Sequence, residues 1–222
     1  LLVLGDTNSS LSAYMAKRMH IPIFHMEAGN RCFDENVPEE TNRKIIDHIA
    51  DFNLVYTEHA RRHLLTEGIH HRKIYLTGSP MKEVLDYYSP KANKSAILNN
   101  LELNEKKYFV VSMHREENID NPQNPIKIFS VLNLLAEKYK FPVIVSTHPR
   151  TGKKLNYASE KQIRLNKNIR FLKPFGFTDY IHLQKNAICT LSDSGTISEE
   201  SAILGFPAVT MRVAMERPEA LD

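Results

Sequence analysis

The chain is poor in cysteine and glycine, and it lacks any long apolar run. Its two cysteines, Cys32 and Cys189, are far apart and have no CxxC or metal-type spacing, so the sequence predicts neither a disulfide framework nor a metal site. Eight glycines and eleven prolines among 222 residues exclude a collagenous or low-complexity chain. No apolar stretch approaches the roughly 20 residues that a membrane helix needs. We therefore expect a cytoplasmic protein without membrane insertion.

An excess of charge of one sign is also missing. The formal net charge is +3, too small to indicate a nucleic-acid or membrane-surface protein by itself. Residues 138–173 carry ten Lys and Arg against the single acid Glu160. We interpret this segment as the solvated face of an α/β domain. A nucleic-acid module is the alternative, but its interleaved aromatic residues are few here, so we expect no nucleic-acid partner.

The composition, with 42% hydrophobic and 25% charged residues, is that of a globular protein able to bury a core. Short apolar segments alternate with helical ones, which indicates parallel sheets covered by helices. The predicted strands are residues 1–4, 21–25, 52–56, 73–76, 108–112, 143–147, 169–171, 187–191 and 207–211. The predicted helices are residues 9–19, 39–50, 58–67, 81–87, 125–138, 157–165, 178–184 and 196–204.

The polar stretch Ser89–Lys94 contains a proline and is the predicted domain boundary. We expect an α/β fold with two doubly wound parallel-sheet domains, residues 1–89 and residues 90–222. The chain begins directly on Leu1–Leu4, which reads as a buried strand, and it stops where residues 216–222 read as the start of a helix. We therefore expect a fragment truncated at both ends.

Three acids follow or face the ends of strands in the first half of the chain. Ligands of open parallel sheets bind outside the carboxyl ends of the strands, so Asp6 and Glu27 are candidate site residues, and Glu39 follows in the next loop. Each acid alone also fits a structural role: an acid after a strand commonly caps a helix, and Glu39 beside Pro38 suits a first turn. Three acids converging on one crevice indicate acid/base chemistry.

In the second half, Asp193-Ser194-Gly195-Thr196 joins a strand to a helix. Free backbone N–H groups at such a helix start suit a phosphate or diphosphate. The structural alternative is a capping box between Thr196 and Glu199, which leaves Glu200 free to accept hydrogen bonds from a ribose. His114 and Arg115, after another strand, are candidates for holding a diphosphate leaving group.

Taken together, these residues resemble a known family. The motifs are Gly5-Asp6-Thr7, Met26-Glu27-Ala28-Gly29-Asn30-Arg31, Pro38-Glu39-Glu40 with Asn42-Arg43, Thr77-Gly78, His114-Arg115-Glu116-Glu117-Asn118, Asp193-Ser194-Gly195 with Glu199-Glu200, and Glu216-Arg217-Pro218-Glu219. In this order they look like the motifs of the non-hydrolysing UDP-N-acetylglucosamine 2-epimerases, and they cover essentially the whole chain. Each motif is weak alone, and the ordered set is specific.

The resemblance implies two Rossmann-like domains of the GT-B arrangement and a homodimer. It also implies a reaction on a UDP-N-acetylhexosamine: UDP is eliminated to give a 2-acetamidoglucal and is added back with the opposite configuration at C2. Because the C2 proton is poorly acidic, the C1–O bond should break first, and carboxylates then stabilise the cation and take the proton. No metal or redox cofactor is required.

Matched residue by residue, the resemblance places Asp6, Glu27, Glu39 and His114 on catalytic positions. The positions that bind uracil, ribose or diphosphate are matched by Phe175, Tyr180, Ser194, Gly195, Thr196, Glu200 and Arg217, and Arg115 joins them as a diphosphate ligand. In this interpretation residues 1–89 carry the catalytic carboxylates and residues 90–222 bind UDP.

Some residues depart from the main pattern of the family. Asn30, Thr196, Ser198 and the run Cys32-Phe33-Asp34 look more like the branch that forms UDP-N-acetyl-L-fucosamine from its C2 epimer. That branch is the first alternative. A GT-B glycosyltransferase is the second, since it would use the same nucleotide site but would not need three acids in the first half of the chain.

Overall fold

The computed structural model describes residues 1–113, 123–147 and 164–211, without the side chains of residues 123–125. These residues form two compact units, one spanning Leu1–Pro80 and the other running onward from Met81. Each unit contains one parallel sheet. The α/β fold class predicted from the alternating pattern is confirmed.

The first unit has a four-stranded sheet whose spatial order β1-β2-β3-β4 follows the chain. Its strands are β1 (Leu2–Leu4), β2 (Phe24–Met26), β3 (Phe52–Val55) and β4 (Ile74–Leu76). Its helices are α1 (Ala13–Arg18), α2 (Pro38–Ile49) and α3 (Glu58–Thr66), with 3-10 turns at Asn8–Ser12 and His71–Lys73. Leu2, Phe24 and Phe52 are in register across the first three strands.

Helices cover one face of this sheet. Val3 on β1 and Ile46 on α2 belong to one buried cluster, and Val55 on β3 packs with Leu64 on α3 in another. On the opposite face Leu2 and Leu4 are more than 60% exposed. The prediction of a buried strand at Leu1–Leu4 is therefore wrong except for Val3, because β1 pairs only with β2 and no described helix packs over its outer face.

The second unit has a five-stranded parallel sheet in the order β7-β6-β5-β8-β9. Its strands are β5 (Phe109–Met113), β6 (Val143–Thr147), β7 (Ile169–Leu172), β8 (Cys189–Ser192) and β9 (Ala208–Thr210). Its described helices are α4 (Met81–Ala92), α5 (Ile97–Asn100), α6 (Gln123–Tyr139), α7 (Phe177–Asn186) and α8 (Ile197–Leu204). The strand order reverses between β5 and β8, so this sheet is doubly wound and has its topological switch point there.

Helix α4 is longer than the sequence predicts. It runs through Pro90 to Ala92, whereas a helix ending at Tyr87 was expected. Proline removes one hydrogen bond from a helix interior. Packing compensates, because Leu85 and Ala92 lie in a buried cluster with Ile181 of α7.

This packing assigns α4 to the second unit. Beyond the helix, the Ser95 hydroxyl donates to Asp179 of α7 at 2.5 Å, and Lys185 donates to Asn93 at 2.8 Å. The expected boundary between residues 89 and 90 thus falls inside α4, while the compact units divide between Pro80 and Met81.

Most other predicted elements are present with ends shifted by one to a few residues. The short helix α5 was not predicted. The predicted helix at 157–165 lies almost wholly outside the described residues, as does the helix start at 216–222. Among the described helices, none combines the length and apolar character that crossing a bilayer requires.

Gly29 offers a test of local packing in the first unit. Its φ is +78°, and a Cβ at this position would lie 2.4 Å from the carbonyl oxygen of Ala60. Gly29→Ala should therefore lower the free energy of unfolding by at least about 3 kcal/mol, combining left-handed strain of roughly 1 kcal/mol with a backbone clash. Gly68 has a similar φ of +84° with open space around it. Gly68→Ala should cost only about 1 kcal/mol. Equal losses in urea unfolding would contradict the clash.

Candidate functional site

Asp6 and Glu27 lie at the same edge of the first sheet, just beyond the carboxyl ends of β1 and β2. The N–H of Gly5 donates to the carbonyl of Met26 at 3.2 Å, which joins the two strand ends. A Cβ on Gly5 would lie 3.4 Å from Oε2 of Glu27, so this carboxylate packs directly over the glycine. The structure thus brings these two predicted site residues together.

The first turn of α2 carries Glu39. This position agrees with the structural alternative of an acid in a helix first turn after Pro38. The side chain is half-buried, and its Oε2 is shielded from solvent with no hydrogen-bond partner among the described residues. An unpaired buried carboxylate oxygen is unfavourable, so it is a natural acceptor for a ligand.

The alternative that Asp6 caps a helix is wrong. Thr7 is the N-cap of the following 3-10 turn, with no side-chain cap, and Asp6 instead pairs with the guanidinium of Arg43 on α2. Arg43 is fully buried, and its NH1 also donates to the backbone carbonyl of Asn30 at 3.2 Å. Glu39 lies one helical turn before Arg43, so α2 carries both Glu39 and the partner of Asp6.

Glu27 adopts a left-handed backbone conformation with a φ of +66°. A non-glycine residue in this region stores strain of roughly 1–2 kcal/mol and keeps it only where its surroundings enforce it. Here the side-chain amide of Asn30 donates to Oε1 of Glu27 at 3.3 Å. Asn30 is itself buried. Its backbone carbonyl accepts a hydrogen bond from NH1 of Arg31 at 2.7 Å, which holds the residue in place.

Beneath these acids lies a buried ionic network centred on Asp47 of α2. Its carboxylate accepts the N–H of Gly29 at 3.2 Å and pairs with NH1 of Arg31 at 2.7 Å. It also contacts Nδ1 of His25 at 2.8 Å, and Nε2 of His25 lies 3.0 Å from the carbonyl oxygen of Gly5. The network therefore connects the loop that bears Asp6 to the loop that bears Glu27. Sequence analysis missed it because its members are far apart in the chain.

Arg31 continues the network to Glu67 at the end of α3. Its Nε and NH2 donate to the two carboxylate oxygens of Glu67 at 2.7 and 2.6 Å, a bidentate pair. Burial opposes the charge on Arg31, but Glu67 and Asp47 together raise its pKa. Burial likewise opposes ionisation of Glu67, yet its contacts with Arg31 lower its pKa overall.

The second cluster lies at the switch point of the other sheet, after β8. The N–H of Ser194 donates to the hydroxyl of Ser192 at 3.1 Å, and the hydroxyls of Ser194 and Thr196 are 2.9 Å apart. Helix α8 begins one residue after Thr196. The strand-turn-helix predicted for this segment, including Gly195, is therefore present.

The structural alternative of a capping box between Thr196 and Glu199 is not formed, because Thr196 makes no side-chain cap. Its hydroxyl donates instead to Oε1 of Glu200 at 2.5 Å. Oε2 of Glu200 accepts from Nε2 of Gln184 on α7 at 2.7 Å. Sequence analysis missed Gln184, which lies sixteen residues from its partner in an ordinary amphipathic helix.

Phe175 and Tyr180 line an open pocket of about 270 Å³ in the same unit, together with Ser146, Pro174 and Phe177. Burial raises the pKa of Tyr180 to about 12, although the side chains of Ser112 and Ser192, near the ends of β5 and β8, act in the opposite direction. The phenol is therefore neutral at physiological pH.

Three predicted site residues, His114, Arg115 and Arg217, lie outside the described residues. Within the described ranges no group of three or more His, Cys, Asp or Glu side chains is arranged to hold a metal ion.

The fold and these two clusters define an α/β protein built of two Rossmann-like units of the GT-B class. Comparison with known proteins then shows the family. The sequence model described as UDP-N-acetylglucosamine 2-epimerase matches residues 1–222, and the chain belongs to this family.

Individual relatives agree. The chain is 39% identical over its whole length to the UDP-N-acetylglucosamine 2-epimerase of Methanococcus maripaludis and covers 62% of that protein. It superposes on the UDP-N-acetylglucosamine 2-epimerase of Rickettsia bellii with a TM-score of 0.87 and 54% identity, covering 100% of this chain and 58% of that one. The Methanocaldococcus jannaschii UDP-GlcNAc 2-epimerase in complex with UDP-GlcNAc and UDP gives a TM-score of 0.86 at 36% identity, covering 99% of this chain and 62% of that one. The chain thus spans about three-fifths of the length of these relatives.

The Arg31–Glu67 pair predicts a specific pH dependence of stability. A carboxylate whose pKa is lowered on folding contributes stability above its unfolded pKa, and this contribution is lost as the pH falls through the folded pKa. Glu67→Gln should therefore reduce the free energy of unfolding by about 2 kcal/mol at pH 7. The difference from the parent protein should shrink progressively as the pH falls below about 4.5.

Urea unfolding at a series of pH values measures this difference. Glu58→Gln is the matched control, because Glu58 forms an exposed pair with Arg61 on α3 and should matter little at any pH. A pH-independent effect of Glu67→Gln would show that the charge of Glu67 is not what stabilises the fold.

Proposed function

We propose that the full-length protein interconverts UDP-N-acetylglucosamine and UDP-N-acetylmannosamine by eliminating UDP and adding it back with the opposite configuration at C2. The observation that carries the proposal is the placement of Asp6 and Glu27 at one edge of the first sheet, with Glu39 on the helix that also carries Arg43, the partner of Asp6, in a chain of the 2-epimerase family. The relatives named as UDP-N-acetylglucosamine 2-epimerases, one of them solved with UDP-GlcNAc and UDP, support this substrate.

The environments of the three acids suggest different roles. Asp6 is paired with buried Arg43, so the positive charge of Arg43 favours the ionised form of the Asp6 carboxylate. We assign Asp6 to stabilising the cationic centre that forms at C1. We assign Glu27, and Glu39 with its buried Oε2 that has no hydrogen-bond partner among the described residues, to taking and returning the C2 proton.

The second unit supplies the nucleotide site in this proposal. The turn Ser194–Thr196 and the start of α8 would bind the diphosphate, because backbone N–H groups and the helix dipole favour anions. Glu200 would accept hydrogen bonds from the ribose, and the pocket lined by Phe175 and Tyr180 would receive the uracil ring. The family resemblance adds His114, Arg115 and Arg217 to this site.

The alternatives are less well supported. A glycosyltransferase has no need of the carboxylates at Asp6, Glu27 and Glu39 together. Two relatives that match the whole of this chain are named for UDP-N-acetylglucosamine, which does not favour the UDP-N-acetyl-L-fucosamine branch. From the family resemblance we also propose that the full-length protein is a cytoplasmic homodimer and that it needs no metal or redox cofactor.

Glu27→Gln tests the acid/base assignment. The substitution is nearly isosteric, so the fold and the UDP affinity should persist while turnover falls by roughly 10²–10⁴-fold, the usual contribution of a general acid or base. NMR of the sugar product from the full-length protein incubated with UDP-N-acetylglucosamine measures the turnover, and calorimetry measures UDP binding.

Glu35→Gln is the matched control. Glu35 is an exposed acid in the same connection between β2 and α2. Its variant should keep full activity. Full activity of Glu27→Gln, or no epimerisation by the parent protein, would refute the proposed assignment.

A further inference from the structure

We infer that Gln184 is a positioning residue of the nucleotide site, which fixes the Glu200 carboxylate so that it can bind both ribose hydroxyls. The inference rests on the proposed function, because it takes Glu200 as the ribose ligand. It adds a residue that neither the sequence motifs nor the family resemblance assigned.

Gln184 is a polar side chain buried among apolar ones. It is 1% exposed on α7, where its neighbours Ile181 and Leu183 belong to the apolar core. Its Nε2 donates to Glu200 at 2.7 Å, while its Oε1 is buried with no hydrogen-bond partner among the described residues. A buried amide that leaves its oxygen unsatisfied destabilises a fold relative to an apolar side chain of the same size. Packing alone therefore does not account for glutamine at this position.

The orientation of the amide is also determined. Turning it over would place Oε1 against the carboxylate of Glu200, and two acceptors would then face each other. Only Nε2 can face Glu200. The unsatisfied oxygen is thus the consequence of holding the carboxylate.

The carboxylate of Glu200 is held by two donors. Oε1 of Glu200 accepts from the Thr196 hydroxyl at 2.5 Å, and Oε2 accepts from Gln184. A glutamate on a first helical turn otherwise samples several rotamers, and these two donors on opposite oxygens select one. Each carboxylate oxygen has a second acceptor position. A vicinal diol such as the 2′ and 3′ hydroxyls of a ribose can therefore donate to both oxygens of the fixed group.

Gln184 shares one face of α7 with another residue of the proposed nucleotide site. Tyr180 and Gln184 are one helical turn apart and face the same side. Tyr180 lines the pocket proposed for the uracil ring, and Gln184 holds Glu200, the proposed ribose ligand. One helix face thus carries residues for both parts of the nucleoside.

The test compares two nucleotides, UDP and 2′,3′-dideoxyuridine diphosphate, in calorimetric titrations of the full-length protein. Gln184→Met replaces the amide with an apolar side chain of similar length. It should weaken UDP binding roughly tenfold, the effect of losing the orientation of a charged acceptor, and change the affinity for the dideoxy analogue less than about twofold. A role limited to packing would weaken both nucleotides equally.

Two further variants complete the design. Gln184→Asn keeps a buried amide but draws its nitrogen back by one methylene, so it should show the same selective loss even if Gln184→Met folds poorly. Lys185→Met is the control on the same helix. The Lys185 side chain donates to Asn93, and its backbone carbonyl accepts from Lys106, so the variant should leave both affinities unchanged.

The outcomes separate the two proposals. Selective loss of UDP affinity supports the positioning role of Gln184. Equal loss for both nucleotides, or a parent protein that binds them equally well, overturns that role while leaving UDP binding in place. A parent protein that binds neither nucleotide overturns the proposed nucleotide site and the role of Gln184 together.

Discussion

The carboxylate of Asp47 is the contact on which the acid cluster of the first unit depends. It receives the N–H of Gly29, the guanidinium of Arg31 and the ring of His25, all of them buried. Loss of one partner from such a network commonly costs about 3–5 kcal/mol, because a charge is left buried and unpaired. The loop after β2 is thereby fixed to α2, and Glu27 can keep a left-handed backbone conformation that a free loop would abandon.

Both clusters follow the same physical rule. In each, a polar side chain on a helix behind the strand ends holds a carboxylate or the loop that bears it: Asp47 on α2 holds the Gly29 loop, and Gln184 on α7 holds Glu200. Such buried polar groups lower the stability of the fold compared with apolar packing. Their hydrogen bonds hold the side chains of the site in a single geometry. The apolar clusters on the strands and helices around them supply the stabilisation.

Much of this arrangement follows from local sequence pattern. Alternation of apolar strands and helices predicts the parallel sheets, and the rule that ligands bind beyond strand ends selects Asp6, Glu27 and the turn at Ser194. Contacts between distant residues carry no local signal. Asp6 pairs with Arg43 and does not cap a helix, and the Thr196 hydroxyl donates to Glu200 and does not form a capping box with Glu199. Helix α4 passes through Pro90 because tertiary packing outweighs the local penalty.

In the proposed reaction, Glu27 and Glu39 exchange a proton at C2 of a UDP-sugar. Incubation of the full-length protein with UDP-N-acetylglucosamine in deuterated water tests it most directly, with NMR detection at C2. Elimination and re-addition remove the C2 proton on one face and return one from solvent on the other, so every epimerised product should carry deuterium at C2. Epimerised product that retains protium at C2 would contradict the account.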